Sequence, residues 1–439
     1  MHRRDLLSLR GLVALQLAAI ALLAVLTVWR FHVWAAVDER AHYANVQSIA
    51  EDGRYPRPDD LVSSDVQAIT DDTFPRPSPH DPRTQGLAGR TYEAVQTPLY
   101  YVLATPAFLL PFNHRQKVFV LRAFDVLLLA AALALAATLS REVLGRRWLV
   151  GYAAMLSVLL WPGVLVRMVT VSNDALAIPI SLLFAVLIWQ AWTRRSPGRL
   201  VAAGAVLGLV ALTKVTLLFL APVLAIAAAD ALVRWDSPRA RAAAVLALAL
   251  PVALLIPWAA VNHARYGGFG LAEGNAAISA LYAADPKLAV HGLPPRLWRM
   301  FDSSLPQEFA AEYESGGLGA LVTRGLVVAL VAFGAAAALV GRRAMAPRAA
   351  VILGLPLMAG VLGLVLEWES GGDDHFFGRY LYPAALLFAL FGAAGWIAAG
   401  RDRVAAWWAG AVSLVAAGFW VHLGAAYYFV DLGHRLGLA

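Results

Sequence analysis

The sequence contains no cysteine and few charged residues. Without cysteine among its 439 residues, the chain cannot form a disulfide bond, a thiolate metal site or a thiol nucleophile. Charged residues make up 15% of the chain and hydrophobic residues 60%, whereas soluble domains contain about 25% and about 45–50%. One soluble core stops growing at roughly 250–300 residues, so this apolar excess excludes an ordinary soluble domain. The composition predicts an all-α, polytopic membrane protein.

Lysine is also scarce, and most of the positive charge comes from arginine. The 36 basic residues include only three lysines, and the formal net charge is +7. The arginines lie in short clusters between apolar runs, which is the pattern of a topology signal rather than of a nucleic-acid surface. We therefore expect no nucleic-acid partner. The sequence also lacks the phosphate-loop, Gly-x-Ser-x-Gly and His-Glu-x-x-His motifs, which argues against nucleotide hydrolysis, serine hydrolysis and zinc-peptidase chemistry.

The apolar residues are grouped into eleven runs that are long enough, or nearly so, to cross a bilayer. A spanning helix needs about 20 such residues. All arginine clusters fall on one side when every run crosses the membrane. We therefore predict one membrane domain, residues 1–439, in the inner or plasma membrane, with a cytoplasmic N-terminus and an extracytoplasmic C-terminus. The runs are 12–29, 117–139, 148–170, 174–193, 200–213, 215–233, 242–263, 318–341, 348–367, 376–399 and 404–430.

Two connections between these runs are long, and both are predicted to be extracytoplasmic. They cover residues 35–116 and 264–317. Loops of this length are usually functional or disordered. Within the first loop, 97–112 is apolar but too short to span, which predicts a juxtamembrane helix that lies in the interface or re-enters the membrane.

The first candidate site follows the first apolar run, where Asp38, Glu39 and His42 stand together. Ionisable groups beside membrane helices are functional candidates by default. If a helix continues through them, Asp38 and His42 are four residues apart and share a face. Asp38 or Glu39 can then act as a general base, or the three residues can bind a divalent metal. The alternative is a solvated helix end with an ion pair between Asp38 and His42.

A second group of candidates surrounds the start of the fourth run. Arg167 lies within the third run, where it needs a partner or a cavity. Asp174 begins the fourth run, and it suits the positive N-terminal end of a helix. Capping of that helix by Ser172 or Asn173 is a sufficient alternative explanation for this cluster.

Lys214 separates the fifth and sixth runs. The fifth run, 200–213, has 14 residues and therefore extends about 21 Å as a helix, which is short of the roughly 30 Å hydrocarbon core. We expect Lys214 to be recessed below the membrane surface, where a carboxylate or a lipid phosphate neutralises it. Snorkelling of the side chain to the surface is the alternative.

A last cluster lies between the ninth and tenth runs and contains Asp374, His375 and Arg379. An arginine at this position presents a planar fork of donors that suits a phosphate group. A salt bridge from Arg379 to Asp373 or Asp374 is the alternative.

Five short motifs occur in a fixed order along the chain. They are Asp38-Glu39-Arg40-Ala41-His42-Tyr43, Glu93-Ala94-Val95-Gln96-Thr97-Pro98-Leu99-Tyr100-Tyr101, Ser172-Asn173-Asp174-Ala175-Leu176, Leu212-Thr213-Lys214 and Gly378-Arg379-Tyr380-Leu381-Tyr382-Pro383. In this order the sequence resembles GT-C-type membrane glycosyltransferases, which use polyprenyl-phosphate sugars as donors. The resemblance covers residues 10–390 and is strongest to the family 39 mannosyl- and aminoarabinose-transferase-like proteins.

The resemblance implies a GT-C-like fold and a reaction on the extracytoplasmic face. An acceptor hydroxyl, on a glycan or a lipid, would attack the anomeric carbon of the donor sugar, with inversion, while the polyprenyl phosphate leaves. Asp38 would be the general base, with Glu39 as the alternative or as an orienting partner. The implied phosphate-binding residues are Lys214, Arg379 and Arg167, and the implied substrate-binding or orienting residues are His42, Asp174, Tyr100, Tyr101, Gln96, Asp374 and His375.

Two other functions remain open at the level of sequence. A lipid or sugar transporter would place ionisable groups near the middle of the bilayer, and a non-catalytic lipid-binding subunit would keep the fold without its chemistry. The expected partners are the polyprenyl-phosphate donor, the acceptor and membrane lipids. The sequence indicates no cofactor other than a divalent metal, for which Asp38, Glu39 and His42 are the candidate ligands.

Overall fold

The computed structural model describes residues 3–34, 36, 38–73, 75, 89–268, 318–341, 345–369 and 381–424. These residues are almost entirely helical. They contain no strand, and a single isolated bridge joins Leu61 to Arg90. The predicted all-α class is therefore confirmed.

The described residues form fifteen α-helices of eight residues or more. In chain order they are α1 (Arg3–Arg30), α2 (Glu39–Asp52), α3 (Ser64–Thr73), α4 (Leu99–Phe108), α5 (His114–Leu144), α6 (Trp148–Leu159), α7 (Pro162–Val169), α8 (Asp174–Arg194), α9 (Pro197–Thr213), α10 (Ala221–Arg234), α11 (Pro238–Tyr266), α12 (Leu318–Gly341), α13 (Leu355–Glu369), α14 (Tyr382–Ala398) and α15 (Asp402–Gly424). Short 3₁₀ helices cover Tyr92–Val95, Gly145–Arg147 and Val215–Leu220, and a turn of π-helix covers Ala350–Gly354.

Six helical stretches are long and apolar enough to cross a membrane. They are Ser8–Arg30, His114–Leu159, Asp174–Arg194, Val215–Arg234, Pro238–Tyr266 and Asp402–Val421. Shorter apolar helices also occupy Leu99–Phe108, Pro197–Thr213, Gly325–Gly341, Pro347–Leu362 and Tyr382–Ala398. A multi-pass membrane protein is thus confirmed, whereas the number of eleven spans and the direction of the termini stay predictions.

The third predicted run, 148–170, is broken where a single helix was expected. Helix α6 ends at Leu159, and α7 starts at Pro162. Proline has no backbone N–H to donate to the preceding turn, and it is favoured at the first position of a helix. Arg167 therefore lies on a short separate helix rather than inside a continuous span.

Close helix contacts hold the bundle together. Helix α8 packs between α5 and α9, and α9 packs along α11. A Cβ added at Gly204 of α9 would lie 2.2 Å from the backbone oxygen of Ala247 in α11. Because only glycine leaves room for such an approach, Gly204 fixes the distance between these two helices.

The α1–α2 connection, α4 and the α7–α8 connection meet against the first half of α5. Helix α4 turns Tyr100, Tyr101 and Phe108 inward, while Val102 and Leu103 on its other side are exposed. An apolar outer side is typical of a helix in contact with lipid. We refer to this region as the site end of the bundle. Residues 269–317, which make up nearly all of the second long loop (264–317), are outside the described residues. The extracytoplasmic position of that loop therefore stays a prediction.

Candidate active site

A buried ion pair anchors the first functional segment. Glu39 and Arg122 of α5 are both fully buried, and the guanidinium donates Nε to Oε1 at 2.8 Å and Nη2 to Oε2 at 2.7 Å. The same carboxylate accepts the amides of Trp34 and Val171 at 3.1 and 3.2 Å. With four donors around its two oxygens, Glu39 is placed to hold the backbone rather than to take a proton from a substrate.

Arg122 also holds the end of α1. Its Nη1 donates to the carbonyls of Val28 at 3.2 Å and Phe31 at 2.9 Å, and its Nη2 donates to His32 at 3.0 Å. Val28 lies in the last turn of α1, and Phe31 and His32 directly follow it, where the helix end carries negative partial charge. One arginine therefore fixes the α1–α2 connection from both sides.

Asp38 lies at the strained point of that connection. Its φ is 67° and its ψ −5°, and Trp34 four residues earlier also has a positive φ of 68°. Residues other than glycine rarely adopt this left-handed region, and such strain clusters at functional sites. The side chain of Asp38 accepts the Tyr92 hydroxyl at 2.7 Å and lies 3.8 Å from Nη1 of Arg167.

His42 and Glu93 complete a cluster with Asp38. One ligand atom from each of the three residues lies within 4.8 Å of the other two. Nδ1 of His42 is 2.8 Å from the hydroxyl of Tyr101. When Nδ1 is the donor in that bond, Nε2 keeps the lone pair that a metal requires. One imidazole and two carboxylates suit Zn²⁺, Mn²⁺ or Fe²⁺, so these residues fit a divalent metal, with Glu93 in the place expected for Glu39.

A second buried ion pair lies on the far side of the α7–α8 connection. Lys214 follows α9 in extended conformation, is 3% exposed, and donates Nζ to Oδ1 of Asp174. The lysine is therefore buried inside the protein and paired with a carboxylate, which is one of the two partners expected for it. Of the two expected caps of α8, the Ser172 hydroxyl accepts the amide of Asp174 at 3.2 Å, whereas Asn173 donates its Nδ2 to Oε1 of Gln96 at 3.1 Å.

The connection between α7 and α8 links the two ion pairs. Val171 donates to Glu39, beside Asp38, while Asn173 also donates to the carbonyl of Thr213 at 3.3 Å, beside Lys214. Four successive residues thus tie the Asp38 cluster to the lysine. The structure brings together Asp38, Glu39, His42, Gln96, Tyr100, Tyr101, Arg167, Asp174 and Lys214 at the site end. Asp374, His375 and Arg379 lie outside the described residues.

Four residues at the site were not identified from the sequence. Arg122 and Asp125 stand in an apolar run, three residues apart on α5, and charged residues within a predicted membrane helix are a usable signal of function. Glu93 begins the second motif but was given no role, and Tyr92 carries no signal, because only folding of the first loop brings both to Asp38. Near them, burial raises the pKa of the Tyr55 hydroxyl and the charge of Glu93 adds to that effect. Tyr55 therefore stays protonated and donates to the carbonyl of Gln96 at 2.7 Å.

Comparison with known proteins adds evidence about the fold. No family model matches the chain, and no curated protein matches it. Solved structures do match. The apo form of the Archaeoglobus fulgidus oligosaccharyltransferase is 12% identical, with a TM-score of 0.50 over 91% of this chain and 55% of that one. The chain has a GT-C-like fold.

Two further structures are similar at lower TM-scores. The same oligosaccharyltransferase in complex with Zn and sulfate is 15% identical, with a TM-score of 0.49 over 91% of this chain and 52% of that one. ArnT from Cupriavidus metallidurans bound to undecaprenyl phosphate is 15% identical, with a TM-score of 0.46 over 88% of this chain and 60% of that one. The chain spans about half to three fifths of the length of these proteins. At such identities the likeness concerns the fold alone.

Proposed function

We propose that this chain is a membrane glycosyltransferase that moves a sugar from a polyprenyl-phosphate donor to an acceptor hydroxyl on the extracytoplasmic side of the membrane. One observation carries the proposal. A carboxylate at a strained backbone position, Asp38, lies with His42, Glu93 and Arg167 one short connection away from the buried Lys214. Transfer of a sugar from a lipid-linked phosphate requires a base for the acceptor hydroxyl and buried cations for the departing phosphate.

Asp38 is the proposed general base. Its carboxylate would take the proton of the acceptor hydroxyl as that oxygen forms a bond to the anomeric carbon, while the bond from the sugar to the phosphate oxygen breaks. The Tyr92 hydroxyl and Arg167 orient the carboxylate. Glu39 is assigned an orienting role, because Arg122 and two backbone amides already occupy its oxygens.

Lys214 and Arg167 are the proposed partners of the departing phosphate. Preorganised cations act most strongly where negative charge develops in the transition state. Lys214 donates to Asp174, but an ammonium group has three donors, so Asp174 can hold it while a phosphate binds. A recessed lysine suits a phosphate whose lipid chain stays in the bilayer. Arg379 remains a third proposed contact from the sequence.

A divalent metal is the proposed cofactor of the same cluster. Asp38, His42 and Glu93 would hold it, with Asp38 then a ligand rather than the base, and it would supply a Lewis acid for a phosphate oxygen of the donor. Equilibrium binding of Mn²⁺ or Zn²⁺ tests this point without any turnover. We expect Glu93→Gln to weaken binding at least tenfold relative to Asp65→Asn, an exposed carboxylate of α3. Equal affinity in the two variants would remove the metal from the proposal.

Sugar transfer is tested with purified protein and radiolabelled polyprenyl-phosphate sugars. Asp38→Asn keeps the shape of the side chain and removes the base, so transfer should fall by about 10²–10⁴-fold while binding of undecaprenyl phosphate persists. Asp65→Asn is the matched control and should behave as wild type.

Binding of undecaprenyl phosphate tests the phosphate site. Lys214→Met is combined with Asp174→Asn, because the lysine change alone would leave a buried carboxylate unpaired. This double variant should bind undecaprenyl phosphate more weakly than the control variant Lys117→Met.

Other outcomes separate the competing functions. Wild-type protein that binds the lipid and transfers no sugar would be a lipid-binding subunit. Protein that moves the lipid across vesicle membranes without transfer would be a transporter. Full activity in Asp38→Asn would refute the role of the base but leave the transferase reaction in place.

A further inference from the structure

Tyr55 is held by the end of α11 and has no part in the proposed reaction. Its ring lies edge-on to Trp258 of α11, with 5.2 Å between the ring centroids. Arg265, in the last turn of α11, donates Nη2 to the carbonyl of Tyr55 at 2.7 Å and Nη1 to that of Pro56 at 2.9 Å. The same guanidinium lies 5.5 Å from the centre of the Tyr55 ring. Because the planar fork of an arginine can make two bonds and a ring contact at once, α11 fixes both the backbone and the ring of Tyr55.

The hydroxyl of Tyr55 reaches the 3₁₀ helix Tyr92–Val95, which supplies two residues of the site. It donates to the carbonyl of Gln96, directly after that helix, at 2.7 Å. The first residue of the helix bonds to Asp38, and the second, Glu93, belongs to the Asp38 cluster. A 3₁₀ helix of four residues has poor hydrogen-bond geometry of its own, so contacts from elsewhere in the fold are needed to hold these side chains in place.

Gln96 also connects this segment to the phosphate half of the site. Its Oε1 accepts Nδ2 of Asn173 at 3.1 Å. The same amide nitrogen donates to the carbonyl of Thr213, directly before Lys214, at 3.3 Å. Segment 92–96 therefore contacts the Asp38 cluster at its start and the approach to Lys214 at its end.

Two side chains anchor segment 92–96 by its carbonyls. Nδ2 of Asn45 in α2 donates to the carbonyl of Glu93 at 2.9 Å and holds the start of the segment, whereas Tyr55 holds its end at Gln96. We propose that Tyr55 is a positioning residue that fixes Gln96, and with it the spacing between the Asp38 cluster and Lys214; this inference rests on the proposed transferase function. Misplacement by about 1 Å is enough to slow a reaction about 10²-fold.

Two variants remove the contacts of Tyr55 separately. Tyr55→Phe removes the bond to Gln96 and keeps the ring against Trp258. Arg265→Met removes the bonds to the two carbonyls while it keeps an unbranched side chain beside the ring. The first variant therefore tests the contact with the site, and the second tests the support from α11.

The matched controls lie outside the site. Tyr152→Phe also removes a hydroxyl from a tyrosine, and Tyr152 lies in α6, 6% exposed. Arg147→Met also removes an arginine that donates to a backbone carbonyl, that of Ile397 at 3.4 Å. A general effect of either kind of substitution would appear in these controls as well.

Hydrogen exchange measured by mass spectrometry reports the anchoring without any need for activity. We expect Tyr55→Phe to raise amide exchange about fivefold in peptides that cover 92–98, the effect of losing one ordinary hydrogen bond. Arg265→Met should raise exchange in both 53–58 and 92–98, and neither control should change either segment. Unchanged exchange at 92–98 in both variants would overturn the inference, whether or not the protein transfers sugar. If Arg265→Met fails to fold, Tyr55→Phe alone decides the result.

Kinetics then distinguish positioning from simple support of the fold. Tyr55→Phe should lower kcat about tenfold with a donor KM within about twofold of wild type. Addition of Arg265→Met should lower kcat by less than the product of the two separate effects, because both substitutions act through Gln96. Raised exchange with the kcat of the Tyr152→Phe control would overturn the positioning role. Absence of transfer in the wild type would refute the proposed function, and exchange at 92–98 would still decide whether Tyr55 holds Gln96.

Discussion

Removal of Arg122 should destabilise this protein far more than removal of an exposed arginine from a similar pair. Arg122→Met leaves the Glu39 carboxylate buried without its charged partner, and it also removes donors from three carbonyls at the end of α1. Breaking a buried pair in this way costs about 3–5 kcal/mol. At roughly 2.1 cal/mol/K of unfolding entropy per residue, a chain of 439 residues should lose about 3–5 °C in Tm.

The matched control is Arg194→Gln. Arg194 donates to Glu142 at 2.6 Å, but its side chain is 48% exposed, so the loss should stay below about 1 kcal/mol. Thermal unfolding in detergent measures both variants. The double variant Arg122→Met with Glu39→Gln should recover a large part of the loss, because no unpaired charge remains. Equal Tm values for Arg122→Met and Arg194→Gln would refute the reasoning, as would a double variant less stable than Arg122→Met.

Two further predictions concern the packing of the bundle and the first loop. Gly204→Leu should force α9 away from α11 and cost about 3 kcal/mol of unfolding free energy. The control is Gly198→Leu, because a Cβ added at Gly198 meets no atom within 4 Å. Equal stability of the two variants would contradict the close approach of α9 to α11. Burial raises the pKa of Asp60, but the Arg57 amide and the Arg54 guanidinium outweigh it and lower the pKa overall. Asp60 therefore stabilises the fold fully above its unfolded pKa of about 3.9 and loses this contribution as pH falls through the lower folded value. Unfolding of Asp60→Asn between pH 2 and 7 checks the sign, since the wild-type advantage should shrink towards acid, and a growing advantage would contradict it.

The sequence was sufficient for the class of the fold because the bilayer restricts what an apolar chain can do. Backbone groups in lipid must be paired within the chain, which allows helices for runs as apolar as 12–29 or 174–193. A protein carboxylate was one of the two partners that the sequence suggested for Lys214, and Asp174 is that carboxylate; the depth of the lysine below the membrane surface stays a prediction. The break before Pro162 was missed, although proline itself was the visible signal.

The site residues also fall into those that the sequence identified and those whose contacts only the fold revealed. Asp38, Glu39 and His42 were found because they are adjacent in the chain and charged beside an apolar run. The sequence did not determine which of these side chains are occupied by hydrogen bonds that hold the fold. Glu39 pairs with Arg122, which is 83 residues away, and Glu93 approaches Asp38 only through the folded first loop.

Sequence by itself thus determined the membrane-embedded helical fold and the set of charged residues placed beside it, because local hydrophobicity and span length are properties of short stretches of chain. Tertiary structure alone decided the role of each charge. It assigned Glu39 to a buried ion pair with Arg122 and left Asp38 at a strained turn beside Arg167. These assignments depend on distances between side chains far apart in sequence, and only the packing of α5 against the site end sets those distances.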